Sequence, residues 1–169
     1  MRGFFEIGIF HPKHETNMGT LWRSAYQLGS SGIFTIGRRY RVQASDTLKT
    51  YRQVPLRHYL TFADFFAALP FSTILVGIEM GGEPLSSFEH PQQAVYLLGA
   101  EDHGLPNEYM QRCHKIVSLE SVRTQSYNVA VAGSLVMYHR LIQKNRDSPA
   151  PPTMLVDSSG RYEYEVKRD

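Results

Sequence analysis

Within its first 37 residues the chain passes from a strand pattern through a helix pattern to a second strand pattern, and this order narrows the fold more than any other feature. FFEIGIF, Phe4 to Phe10, is a short apolar run rich in aromatic and β-branched residues, stopped by His11-Pro12 as a buried strand is. From Asn17 to Leu28, the residues Met18, Leu21, Trp22, Ala25 and Leu28 recur at spacings of three and four, which marks one face of a helix that Gly29 is placed to end. GIFTIG, Gly32 to Gly37, reads as the second strand. A strand, a crossover helix and a strand favour parallel pairing.

The alternation continues along the chain. FADFFAAL (Phe62 to Leu69) predicts a short helix capped by Thr61, and STILVGIE (Ser72 to Glu79) predicts a strand behind Pro70. MGGEPLSSFEHP has the composition of turns. AVYLLG (Ala94 to Gly99) and KIVSL (Lys115 to Leu119) predict two more buried strands, with Pro106 opening a short helix between them. A last helix is expected from about Asn128 to Lys144, with Val129, Ala132, Val136, His139 and Ile142 or Gln143 along one side. At least five strands alternating with helices make an α/β domain with a mostly parallel sheet flanked by helices. The 169 residues suffice for one such core, which we place in residues 1–146. Residues 147–169, with Pro149, Pro151 and Pro152 ahead of a charged stretch, read as a tail. It is either flexible or packed through Met154, Leu155, Val156, Tyr162 and Tyr164 on its own domain or a partner subunit.

Composition then removes function classes. No apolar run approaches a membrane span and the N-terminal apolar run is too short for a secretory signal, so the expectation is a soluble, cytoplasmic protein that no membrane holds. A single cysteine, Cys113, permits no intrachain disulfide and no cysteine-rich metal site, and no metal is expected. Phosphate-loop, dinucleotide and serine-hydrolase signatures are absent. The net charge of +2 is mild, but its distribution is uneven. Between Ile36 and His58, Arg38, Arg39, Arg41, Lys49, Arg52 and Arg57 face one acid, Asp46, with Tyr40 and Tyr51 interleaved. Cations beside aromatic faces suit a phosphate backbone with unstacked bases, and equally a solvated loop.

Three loops at expected strand ends gather unusual residues. The first holds Asn17 and Arg23, the second is LLGAEDHGLP with Gly99, Glu101 and Gly104, and the third puts Ser126 and Asn128 at the entry to the last helix. Ligands of open parallel sheets sit beyond the carboxyl ends of strands, so these loops can form one pocket. Taken singly, Ser126 and Asn128 serve as helix caps, the glycines as turn residues, and Glu101 and Arg23 as solvated charges.

In order, N-x-G-x-x-x-R (Asn17, Gly19, Arg23), GAEDHGLP (Gly99 to Pro106) and S-Y-N-V-A-V-A (Ser126 to Ala132) strongly resemble the three motifs of the SpoU (TrmH-like) branch of the SPOUT methyltransferases. The resemblance spans roughly Phe4 to Leu141. It implies a SPOUT-type fold with a C-terminal deep trefoil knot, a homodimer, and S-adenosyl-L-methionine-dependent methylation of a ribose 2′-hydroxyl in RNA, with tRNA favoured over rRNA. Carried over by position, it puts Val76, Gly77, Leu98, Gly99, Gly104, Ser118, Leu119, Tyr127 and Asn128 around the cofactor. The family commonly has Ile-Pro-Met where this chain has Val117-Ser118-Leu119-Glu120, and Ser-Leu-Asn where it has Ser126-Tyr127-Asn128, so Ser118 or Leu119 takes the cofactor position.

The resemblance also assigns the chemistry. Arg23 is the residue to which the family's deprotonation of the ribose is most often ascribed, with Asn17, Glu101, Ser126 and Asn128 orienting it or the ribose. A guanidinium stays protonated in proteins, so the physical expectation is a bidentate grip on the phosphate beside the target. The first strand pattern comes almost at once, which leaves RNA recognition to the domain and tail, through Arg23, Arg38, Arg39, Arg41 and Arg52. The alternatives from other classes are a non-catalytic RNA-binding relative that has lost cofactor binding and an unrelated α/β small-molecule enzyme.

Overall fold

Strands that are apolar on both faces must be covered on both, and this requirement sets the architecture. The computed structural model describes residues 3–40, 50–124, 126–144, 154–156 and 162–164. Six strands, β1 (Phe5–Phe10), β2 (Gly32–Ile36), β3 (Leu56–Tyr59), β4 (Ile74–Pro84), β5 (Ala94–Leu98) and β6 (Lys115–Ser118), form one sheet in the order β3-β2-β1-β5-β4-β6. Every neighbouring pair is parallel. Helices α1 (Glu15–Gln27), α2 (Phe62–Ala67), α3 (Asn107–Met110) and α4 (Val129–Lys144) provide the cover. Beyond them, β7 (Met154–Val156) pairs antiparallel with β8 (Tyr162–Tyr164).

Alternation along the strands divides the core in two. Ile7, Ile9, Tyr96 and Leu98 point to one face, where Met18 and Leu21 of α1 and Val136 and Met137 of α4 pack. Phe34, Ile36, Val95 and Leu97 point to the other, against Phe62 and Phe65 of α2 and Leu105. α2 is started by the expected cap: Asp64 N–H donates to Thr61 Oγ1 at 3.1 Å and Thr61 N–H donates to Asp64 Oδ2 at 3.0 Å. This reciprocal pair satisfies two otherwise free amides. Gly29 follows α1 with φ +81°, a conformation natural to glycine.

Two segments differ from expectation. β3 lies inside what reads as a basic loop, because LRHY is the sheet edge and is covered on one side only. Its Arg57 is not offered to a ligand: the guanidinium pairs with Glu6 of β1, whose hydrogen bond and charge raise the arginine's pKa above its ordinary value. The stretch Met80 to Pro84, which reads as turn, continues β4. Ile78 and Glu83 both register with Val117, so residues 79–82 bulge out of the ladder. Gly81 at φ +81° permits that bulge. On α4, Arg140 and not Ile142 faces the core: Arg140 is 5% exposed and Ile142 is 41% exposed.

Candidate functional site

Because the strands are parallel, their carboxyl ends share one edge of the sheet. The strand order reverses between β1 and β5, the position at which such sheets hold ligands. A cavity of about 300 Å³ opens on that edge next to the switch point, over the ends of β5, β4 and β6, of a size that suits a small organic molecule. The exit of β5 supplies Leu98 through Gly104, the bulge of β4 supplies Ile78, Glu79 and Met80, and Leu119 follows β6. Ser126, Tyr127, Val129 and Ala132 close it at the start of α4.

One wall is backbone. Ala100 and Gly104 exchange two hydrogen bonds, of 3.0 and 2.9 Å, which tighten residues 101–103 into a loop. A Cβ on Gly99 would lie 2.2 Å from the Gly104 carbonyl carbon, and Gly104 itself has φ +64°. Only glycine fits at either position, and a ligand can approach the main chain closely there.

Hydrogen bonds tie this loop to the first motif. His14 N–H donates to Glu101 Oε1 at 3.0 Å, so a carboxylate from a distant loop does what no side chain of α1 does for its own start. Lys13 Nζ pairs with Asp102 at 3.1 Å and holds that carboxyl below its usual range. Asn128 joins the third motif to the first: Nδ2 donates to Asn17 Oδ1 at 3.0 Å, while Oδ1 accepts from Ala130 N–H at 3.0 Å and caps α4. Tyr127 Oη donates to the Glu120 carbonyl at 2.8 Å, and the Glu120 carboxylate, held low by Ser86, ties that turn to the segment after β4.

Of the residues singled out from sequence, Leu98, Gly99, Glu101, Gly104, Leu119, Ser126 and Tyr127 line the cavity. Asn17 and Asn128 lie beside it, bonded to each other. Val76, Gly77 and Ser118 are elsewhere. Val76 is fully buried in the α1/α4 core, Gly77 abuts Ile116 and Cys113, and Ser118 Oγ donates to the Gly82 carbonyl. The β4 bulge explains the offset, since the chain turns into the cavity two residues later than spacing suggests. Arg23 is exposed; six residues at about 100° each turn it about 120° away from Asn17 around the helix. Among the described residues it has no ion-pair partner.

The basic segment is split. Arg38 and Arg39 are exposed just past β2 on the cavity edge, where Arg38 donates to the Lys13 carbonyl at 3.0 Å. Arg52 precedes β3 and therefore lies toward the opposite edge, and Arg41 falls outside the described residues. Sequence reasoning missed Glu79 and Met80; the one usable signal was an acid followed by Met-Gly-Gly directly after an apolar strand.

The fold is shared widely. AviRb, a SpoU methyltransferase from Streptomyces viridochromogenes, superposes with a TM-score of 0.75 at 22% identity over 85% of this chain and 61% of AviRb. This chain thus spans about three fifths of that relative. A protein studied for the 2-OH methylation of C/U34 on tRNA gives a TM-score of 0.72 at 25% identity over 85% of this chain and 99% of its own. The TrmH/SpoU tRNA modifying enzyme of A. aeolicus gives 0.76 at 15% identity over 87% and 78%. No curated protein sequence matches significantly. Residues 5–138 match the model of the SpoU rRNA Methylase family, and the chain belongs to that family.

Proposed function

We propose that the chain is an S-adenosyl-L-methionine-dependent RNA methyltransferase that modifies a ribose 2′-hydroxyl of tRNA. The observation that carries this reading is that the second and third motif loops line one cavity and that hydrogen bonds tie the first motif region to both, on the edge where Arg38 and Arg39 are exposed. The cavity's chemistry fits the cofactor. Ile78, Leu98, Leu119 and Val129 offer apolar walls for a base, and the Gly99–Gly104 loop offers main chain at close range. When bound, the sulfonium supplies an electrophilic methyl group. A similar protein studied for methylation of C/U34 on tRNA is covered almost end to end, which favours tRNA over rRNA.

The protein's part is to align the acceptor and remove its proton. Arg23 grips the phosphate next to the target ribose, and the hydroxyl's proton passes to that phosphate or to an arginine in an unusually perturbed environment. Asn17, Glu101, Ser126 and Asn128 hold the loops around it. Lys13, His14, Arg38, Arg39 and Tyr40 cluster around a small dent in the surface, and cations so gathered suit contact with the RNA backbone.

The homodimer and the knot belong to the same reading. Val131, Leu135, Tyr138 and Ile142, each 39–55% exposed, form an apolar stripe along the outer side of α4, a face for a second copy. The bond from Ser86 N–H to Glu120 brings the chain after β6 against the β4–β5 connection, a contact that fits a threaded chain. Residues 147–169 stand as a tail outside the methyltransferase domain.

Arg23→Ala should abolish transfer to unmodified tRNA while leaving S-adenosylmethionine affinity unchanged in calorimetry. Near wild-type turnover would remove Arg23 from the chemistry. Methylation of ribosomal RNA fragments in place of tRNA would move the substrate to rRNA, and a wild type that binds no cofactor would favour the non-catalytic relative.

A further inference from the structure

Glu79 has no part in the assignments above, yet the bulge in β4 carries it to the cavity wall. Its carboxylate is held at both oxygens: Oε2 accepts from Leu105 N–H at 2.8 Å and Oε1 from Met80 N–H at 3.0 Å. Each oxygen of a carboxylate accepts about two hydrogen bonds, so both keep one site free. Two other acids line the cavity, and both are paired: Glu101 with His14, and Asp102 with Lys13 and His103. Among the described residues Glu79 has no ion-pair partner. Gly104 makes room for it, since a Cβ there would lie 2.4 Å from Glu79 Oε2.

We propose that Glu79 is a cofactor-recognition residue whose carboxylate accepts hydrogen bonds from the two ribose hydroxyls of the adenosyl group; this rests on the cofactor reading above. A half-buried carboxylate with spare acceptor sites and no ion-pair partner among the described residues calls for donors, and vicinal hydroxyls present two, spaced for its two oxygens. An acid at a strand end beside a glycine-built turn is also how other parallel sheets read a nucleotide's ribose. The two amides that hold Glu79 belong to two cavity walls, the β4 bulge and the segment after Gly104. Ribose recognition and the spacing of those walls are therefore one piece of geometry.

The test needs neither RNA nor turnover. Equilibrium binding of 5′-methylthioadenosine, its 2′,3′-dideoxy analogue and S-adenosylhomocysteine is measured on the wild type and on Glu79→Gln. The wild type should prefer the diol over the dideoxy analogue by at least about 10-fold, the lower end for a single hydrogen bond to a charged group. Glu79→Gln should cut that preference to within about twofold while binding the dideoxy analogue as the wild type does. A merely structural role would shift both ligands together and leave the preference intact, which overturns the proposal. Weakened S-adenosylhomocysteine with unchanged methylthioadenosine would place the carboxylate at the amino-acid ammonium and also overturn it. Glu79→Asp, which retracts the charge by one methylene, is read the same way and stands in if Glu79→Gln does not fold. A wild type that binds none of the three ligands fails the cofactor reading itself, an outcome distinct from a wild type that binds and a variant that discriminates equally well.

Discussion

The two ends of α4 are held by opposite means. At the amino end, Asn128 caps the helix and reaches Asn17 from an exposed position, beside a wall made of glycine backbone. Toward the carboxyl end a guanidinium is buried: Arg140 donates to the Pro91 and Gln92 carbonyls and to Tyr96 Oη, and lies 5.0 Å over the Phe5 ring. Tyr96 Oη, which accepts from Arg140, also shares a hydrogen bond of 2.6 Å with His90 Nδ1. His90 Nε2 is hydrogen-bonded to His139 Nδ1 at 2.9 Å, so both ring nitrogens of His90 are matched. Burial pushes the Tyr96 hydroxyl up to about 12, which keeps it a donor. Gln143 closes the network, accepting from His90 N–H and donating to the Phe88 carbonyl. Stability is thus concentrated in side-chain bonds at one end, where every buried polar group must be matched, and ligand chemistry in main-chain geometry at the other.

The largest effect that separates the ends should come from Gly99→Ala. The added methyl meets backbone at 2.2 Å, so the Gly99–Gly104 loop has to move, and displacement of a binding wall by about 1 Å costs on the order of 100-fold. We expect S-adenosylhomocysteine affinity to fall by that factor, with a stability loss in urea of about 1–3 kcal/mol from the displaced loop. A variant with near-normal affinity in calorimetry would mean that the cofactor does not use this wall.

An intermediate effect belongs to the other end and is read with acid. Burial, and then the charges of His139, Arg140 and Lys144, push His90 from 6.5 down to about 3. With the folded value below the unfolded one, the unfolded chain takes the proton first as pH falls. The stabilisation is therefore complete above pH 6.5 and is lost progressively from there toward pH 3. One proton sets an upper slope of about 1.4 kcal/mol per pH unit; the half-exposed His139 beside it reduces our expectation to about 1 kcal/mol per unit. Urea unfolding between pH 7 and pH 4.5 checks this, with His90→Gln as reference. The variant should be less stable at pH 7 and lose less on acidification. Parallel profiles would show that the network is not the acid-sensitive element.

The same contrast explains what could be read from the chain. β1, α1, β2 and α4 were legible because their apolar spacing is local, and the Thr61 cap because its partner Asp64 is three residues away. β3 was not, since an edge strand needs only one apolar face and Arg57 spends its charge on a residue 51 positions away. The glycines and acids of the second motif were legible as a group. Glu79 was not, because a bulge that a register shift creates in three dimensions has no period in one. Arg140 was not among the residues placed on the buried side of the last helix for a similar reason: its partners, Pro91, Gln92 and Tyr96, come from another part of the chain.

The smallest effect sharpens the comparison at the amino end of α4, where one amide does two things. Asn128 Oδ1 satisfies Ala130 N–H and Val131 N–H, and Nδ2 holds Asn17. Serine caps a helix about as well as asparagine, yet its hydroxyl is too short to reach across to α1. Asn128→Ser should therefore keep the unfolding free energy within about 0.5 kcal/mol of wild type, whereas Asn128→Ala loses about 1 kcal/mol with the cap. If the tie aligns the first and third motifs, Asn128→Ser should still weaken S-adenosylhomocysteine about threefold, the worth of one exposed hydrogen bond. Asn17→Ala should cost the same, and the double variant no more than either alone, since both remove a single contact. Additive losses would mean that Asn17 and Asn128 act on the cavity separately, and that this end of α4 is held by its cap without help from α1.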